Sequence, residues 1–113
     1  MSEKIFPKQI VDEYGLGFVY KKCRIHKATL NGLMLVPEFR DALLKCVKEN
    51  ITITNKVVCE IIENLYAEWH NKRYSKEYKQ NYVKQYGIDL WKNVFMKHYR
   101  HIADGYHETT KKC

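Results

Sequence analysis

Nothing in this chain stays apolar for long. The longest clear apolar run is Leu33-Met34-Leu35-Val36, whereas a helix needs roughly 20 such residues to cross a bilayer. A helical membrane span is therefore excluded. The segment Met1-Ser2-Glu3-Lys4-Ile5-Phe6-Pro7 lacks the apolar stretch of a secretory signal, so an intracellular, cytoplasmic protein is expected. Asn50-Ile51-Thr52 matches a glycosylation acceptor, but without a signal the match is read as chance. Proline and glycine are scarce, two and five residues out of 113, and no internal repeat, low-complexity tract or linker divides the chain. Sequence motifs are missing as well. There is no phosphate-binding loop, nucleophile elbow, zinc-protease motif or kinase signature.

The residues that are present describe an ordinary globular chain. Hydrophobic residues make up 45% and charged residues 29%, and a chain of this length buries roughly two thirds of its unfolded surface. We expect one helical domain over residues 1–113, with about 106–113 a frayed tail. The fold class is mostly α: a compact bundle of four to five short helices, with residues 16–36 read either as helix or as a small N-terminal β-hairpin. Asn31-Gly32 is a hairpin turn signal, and Leu16, Phe18 and Tyr20 alternate as a strand would. Val19, Cys23, His26 and Leu30 fit a helical stripe equally well, with Gly32 as its cap.

The other elements follow from helical periodicity. Pro7–Tyr14 reads as a short helix ended by Gly15. Pro37–Glu49 presents Phe39, Leu43, Cys46 and Val47 on one face, with Pro37 suited to the first turn. Thr54 or Asn55 can cap a helix reaching about His70, where Val58, Ile61, Ile62, Leu65 and Trp69 give the clearest apolar stripe in the chain. This is expected to be the central helix. Ser75 can cap a helix ending at Gly87. Asp89 can cap a last helix that carries Trp91, Val94, Phe95, His98 and Ile102 on one side and stops at Asp104-Gly105. Of the four cysteines, Cys46 and Cys59 fall on apolar faces, and Cys113 is read as an exposed tail thiol. Reduced thiols are expected, not a disulfide framework.

Charge is unevenly spread. Residues 1–69 sum to +1, residues 70–101 to +6 and residues 102–113 to zero, against a total of +7. The excess sits on Lys72, Arg73, Lys76, Lys79, Lys84, Lys92, Lys97 and Arg100, opposed only by Glu77 and Asp89. A field of this sign draws phosphate, acidic protein surface or anionic headgroups. The competing reading is a solvated surface in a lysine-biased proteome. Phe, Tyr, Met, Ile, Asn and Lys total 48 residues against 15 for Gly, Ala, Arg and Pro, the bias of AT-rich codons.

Tyr74, Tyr78, Tyr82 and Tyr86 recur every four residues and span about 120° of a helix. Such a stripe can stack on unpaired bases while lysines follow the phosphates. It can also be the packing face of a helix whose only aliphatic residue is Val83, and that reading is preferred for most of the stripe, with Tyr74 or Tyr86 left outside. Tyr78–Tyr99 has the outline of a helix-turn-helix, which would put Trp91, Lys92 and Asn93 at base edges. Trp91 suits a groove poorly.

Cys23-x-x-His26, His98, His101 and His107 do not form matched ligand pairs, so no metal is expected. His98, His101 and Asp104 could serve acid–base chemistry, but a polar helix end explains them as well, so no catalytic residue and no cofactor is assigned. The reading that results is a small basic non-enzymatic protein engaging nucleic acid through its Lys/Tyr-rich C-terminal half, with Lys72, Arg73, Tyr74, Lys76, Lys79, Lys92, Lys97 and Arg100 as contact residues. The alternative is a small virus- or phage-encoded inhibitor that docks its basic face on acidic surface of a host protein complex.

Overall fold

A computed structural model of the chain describes Glu13 and residues 15–112, with side chains through Thr110. Apart from Glu13, the expected Pro7–Tyr14 helix lies outside the described residues, as does the tail thiol Cys113. Every element within them is helical: α1 Val19–Lys22, α2 Lys27–Met34, α3 Pro37–Lys48, α4 Asn55–Tyr74, α5 Lys76–Tyr86, α6 Ile88–Leu90, a π-helical turn Trp91–Phe95, and α7 Met96–Lys112. The last three run on without a break. No strand occurs among the described residues, so the hairpin reading of 16–36 gives way to two short helices. They are divided at Cys23–His26 because His26 starts a new helix, its Nδ1 accepting from the Ala28 amide at 3.1 Å. The His26 amide in turn donates to the Glu108 carboxylate at 2.6 Å, tying the start of α2 to the far end of α7.

Local chemistry accounts for most of the boundaries. Pro37 stands in the first turn of α3, where its missing N–H costs nothing. Thr54 Oγ1 accepts from Val57 N at 3.3 Å and opens α4. Ser75 Oγ does the same for α5, from Tyr78 N at 3.1 Å. Gly87 ends α5 at φ 96°, a conformation open mainly to glycine. Asp89 does not cap the last helix, since Gly87 occupies that position and Asp89 lies inside the first turn.

The core is built around α4, as its stripe implied. Val58, Ile62, Leu65 and Trp69 are buried between α3, α5 and α7. On α3, Phe39 and Leu43 are buried, but Val47 is 49% exposed, because the chain turns away one residue later at Lys48. Cys46 is a free thiol, and the Cys23 thiol donates to Asn55 Oδ1 at 3.4 Å. Cys59, by contrast, is disulfide-bonded, which corrects the expectation of reduced cysteines.

Two glycines read as stops turn out to be contact points. Gly105 is buried within α7, and a Cβ there would stand 2.9 Å from Leu33 Cδ1 on α2. Gly32 lies within α2, and a Cβ there would meet the His101 ring on α7, with Nδ1 at 2.5 Å. Each helix thus offers a glycine to the other's side chain, and the two axes approach closely. Gly105 does not end the helix, and residues 106–110 are not a frayed tail. Thr109 is fully buried, its hydroxyl donating to the Tyr106 carbonyl at 2.8 Å.

The π turn has a packing consequence. It brings the Trp91 and Phe95 rings into a parallel stack, 4.3 Å apart and 9° from coplanar. Trp69 also stacks on Phe95, at 4.9 Å and 20°. Tyr78 and Tyr82 close this aromatic core from α5, at 5.6 and 5.7 Å from Phe95. Val94, expected on the same inner face, is turned outward and 37% exposed, since a wider turn changes which residues share a side.

Candidate functional site

The eight proposed contact residues fall into three surroundings. Lys72 is already engaged. Its ammonium donates to Glu68 at 2.9 Å, the one ion pair formed between two described residues, and it lies 5.9 Å over Trp69 and 5.6 Å over Tyr78. The Glu68 carboxylate holds the Lys72 ammonium above its ordinary pKa. Arg73 lies over two rings, Tyr74 at 4.6 Å and Tyr99 at 5.6 Å. Tyr74 is 63% exposed, yet it is flanked by Arg73 and by the His70 ring at 4.7 Å. It belongs to a surface cluster with Tyr66, Tyr99 and Tyr106. Within that cluster Tyr66 and Tyr106 stack 4.0 Å apart and 5° from coplanar, and the His70 Nδ1 and the Tyr99 hydroxyl share a hydrogen bond at 3.1 Å. Burial, helped by the Tyr66 hydroxyl, pushes the Tyr99 phenol up to about 12.

Lys76 and Lys79 form a second group with Lys84, which the sequence reading counted as basic without assigning it a contact. The three line an open groove of about 520 Å³ at the corner between α5 and α6, together with Gln80, Val83 and Ile88. Lys79 also reaches over the Trp91 ring at 5.8 Å.

Lys92, Lys97 and Arg100 form the third group. They line a shallow groove of about 380 Å³ with Asn93 and Met96, and all three cations are exposed. No carboxylate lines this groove. The cations extend along one continuous stretch of helix from the π turn into α7. Asn93 and Met96 could have been found from the i, i+4 spacing to Lys97 and Arg100. Two half-buried imidazoles lie on the same helix. His98 is pushed below its ordinary pKa first by burial, against the opposing Glu38 carboxylate, with His101, Arg40 and Lys97 adding to the depression. His101 is lowered by burial, against Asp104, with Lys97 and Arg100 adding. Both rings are therefore neutral at pH 7, and the positive charge of this stretch rests on its lysines and arginine.

The expected single cationic surface is thus divided. One part is neutralised or bound up with aromatic rings, and two lie along separate grooves. The tyrosine stripe divides too. Tyr78 and Tyr82 are half-buried against Trp91 and Phe95, while Tyr74 and Tyr86 are exposed. Among the described residues, no three His, Cys, Asp or Glu side chains come close enough to share a metal ion, and no helix is long and apolar enough to cross a membrane. No protein-family model, curated protein or solved structure matches this chain.

Proposed function

We propose that the protein binds nucleic acid through its phosphate backbone, with Lys92, Lys97 and Arg100 as the contacts. The observation that carries this reading is the α7 groove, where three exposed cations share one stretch of helix with a polar Asn93 and no carboxylate. Cations left without internal partners are free to replace the counterions condensed on a phosphate chain, and the release of those ions supplies the affinity. Lys72 and Arg73 contribute less, because each would have to give up a carboxylate or a ring it already holds. Base stacking is also a minor part. Tyr78 and Tyr82 face inward, and Tyr74 already has neighbours on its ring. Binding of this kind is sequence-tolerant, since phosphate contacts position a protein without reading bases.

The test is fluorescence anisotropy at low salt with labelled mixed-sequence duplex DNA and single-stranded RNA. Wild-type protein should bind, and a Lys97→Glu, Arg100→Glu variant with an unchanged circular dichroism spectrum should not. Absence of binding by the wild type, or equal binding by the variant, overturns the proposal.

A further inference from the structure

We propose that the groove at the α5–α6 corner receives an acidic, amphipathic segment of a partner protein, an interaction separate from the phosphate contacts of α7. Its floor is apolar, made by Val83 and the exposed Ile88, and Lys76, Lys79 and Lys84 stand around it with no carboxylate in the lining. Ile88 is one of the seven large hydrophobic side chains exposed among the described residues, at 43%, and here it lies in a lining shared with three lysines.

The corner is also held in place. Gly87 sits at φ 96°, its amide bonded to the Val83 carbonyl at 2.8 Å and its carbonyl to the Trp91 amide at 3.3 Å, so Val83 and Ile88 keep a fixed relation. A preformed site loses less entropy when it binds.

The charge pattern selects the occupant. A second copy of the chain would bring the same three lysines to the same place, and like charges oppose that pairing. A polynucleotide would satisfy the ammonium groups but leave the apolar floor uncovered. A helix or strand that offers one or two apolar side chains between carboxylates satisfies floor and rim together. This is groove recognition by apolar anchors, with the charges setting orientation and on-rate.

The probe is a short fluorescein-labelled synthetic peptide with leucines at i, i+3, i+4 and i+7 and glutamates elsewhere. A shuffled peptide of the same composition and poly-glutamate serve as controls. Fluorescence anisotropy should show the patterned peptide binding the full chain about tenfold or more tighter than either control, and Ile88→Asp or Lys84→Glu weakening it by about tenfold, a difference of roughly 1.4 kcal/mol. Both positions are exposed, so either variant should keep the wild-type circular dichroism spectrum. If Ile88→Asp unfolds the chain, Lys84→Glu alone decides the matter. Equal binding of poly-glutamate, or unchanged peptide affinity in the folded variants, overturns the proposal. So does an Ile88→Asp effect confined to phosphatidylserine vesicles or to oligonucleotide. Neither variant touches Lys92, Lys97 or Arg100, so failure here is distinguishable from failure of the nucleic-acid reading.

Discussion

Replacing Gly105 by alanine tests the close crossing of α2 and α7. In an open helix the change should stabilise by about 0.8–1 kcal/mol, the difference in helix propensity between the two residues. Here the added methyl would lie 2.9 Å from Leu33 Cδ1, 3.3 Å from Cδ2 and 3.4 Å from Cγ. The whole branched end of a fully buried leucine would have to move, and overpacking of this kind costs roughly 1–3 kcal/mol. The strain outweighs the propensity gain, so Gly105→Ala should destabilise by about 1 kcal/mol net. The sign can be made to invert. Leu33→Ala alone should cost about 2–5 kcal/mol, but it removes the atoms that Gly105→Ala would strike. In that background Gly105→Ala should stabilise by about 0.5–1 kcal/mol. Urea unfolding followed by circular dichroism on the four proteins of this cycle gives the coupling directly. If Gly105→Ala stabilises the wild-type chain by the full propensity difference, or has the same effect with and without Leu33, the two helices do not meet there and the reasoning is wrong.

The remaining expectations concern caps, rings and pH. Ser75→Ala removes the hydroxyl that accepts from Tyr78 N and should cost about 1 kcal/mol in urea unfolding; no loss would mean that α5 does not depend on this cap. Tyr99→Phe breaks the bond to His70 and should cost about 1 kcal/mol. It should also remove a tyrosine whose ionisation is pushed up to about 12, followed by ultraviolet absorbance; an unchanged high-pH step would contradict the assignment. For His98 and His101 the folded pKa lies below the ordinary 6.5, so the unfolded chain binds more protons. Stability is then full above pH 6.5 and falls as the pH drops from there towards the folded values. The urea midpoint should decrease between pH 7 and pH 5.5, and a His98→Gln, His101→Gln variant should flatten that decrease; imidazole pKa values at or above 6.5 by NMR would refute it.

Where the sequence reading succeeded, a local cause was enough. The stripe on α4 fixed the central helix, and Thr54, Ser75 and Pro37 marked helix starts through bonds made within a turn or two. Where it failed, the cause lay in a distant part of the chain. Gly32 and Gly105 looked like helix ends because glycine usually serves that role, but each is small because of a side chain some seventy residues away, His101 and Leu33 respectively. Val94 was placed inside by a 3.6-residue period that the π turn does not follow. Asp89 looked like a cap, but Gly87 took that position through its own backbone conformation. For the candidate site, the charge count located the cationic segment but not its division. That Lys72 would be paired by Glu68 is readable from the i, i+4 spacing. That Arg73 would lie over Tyr99, and that Lys76 and Lys79 would rim a different groove from Lys97, depends on how α5 and α7 pack. Ile88 carried no signal of its own, since it stands in the turn after Gly87 outside any apolar stripe.

The most direct measurement is the salt dependence of duplex DNA binding. With three phosphate contacts from Lys92, Lys97 and Arg100, the logarithm of the association constant should fall with the logarithm of salt with a slope of about −2.7, a loss of about 40-fold between 50 and 200 mM. Neutralising two of them, in a Lys97→Gln, Arg100→Gln variant, should make the slope shallower by about 1.8. A wild-type chain that does not bind duplex at 50 mM salt, or a variant whose slope equals that of the wild type, would contradict the assignment of these cations to phosphate.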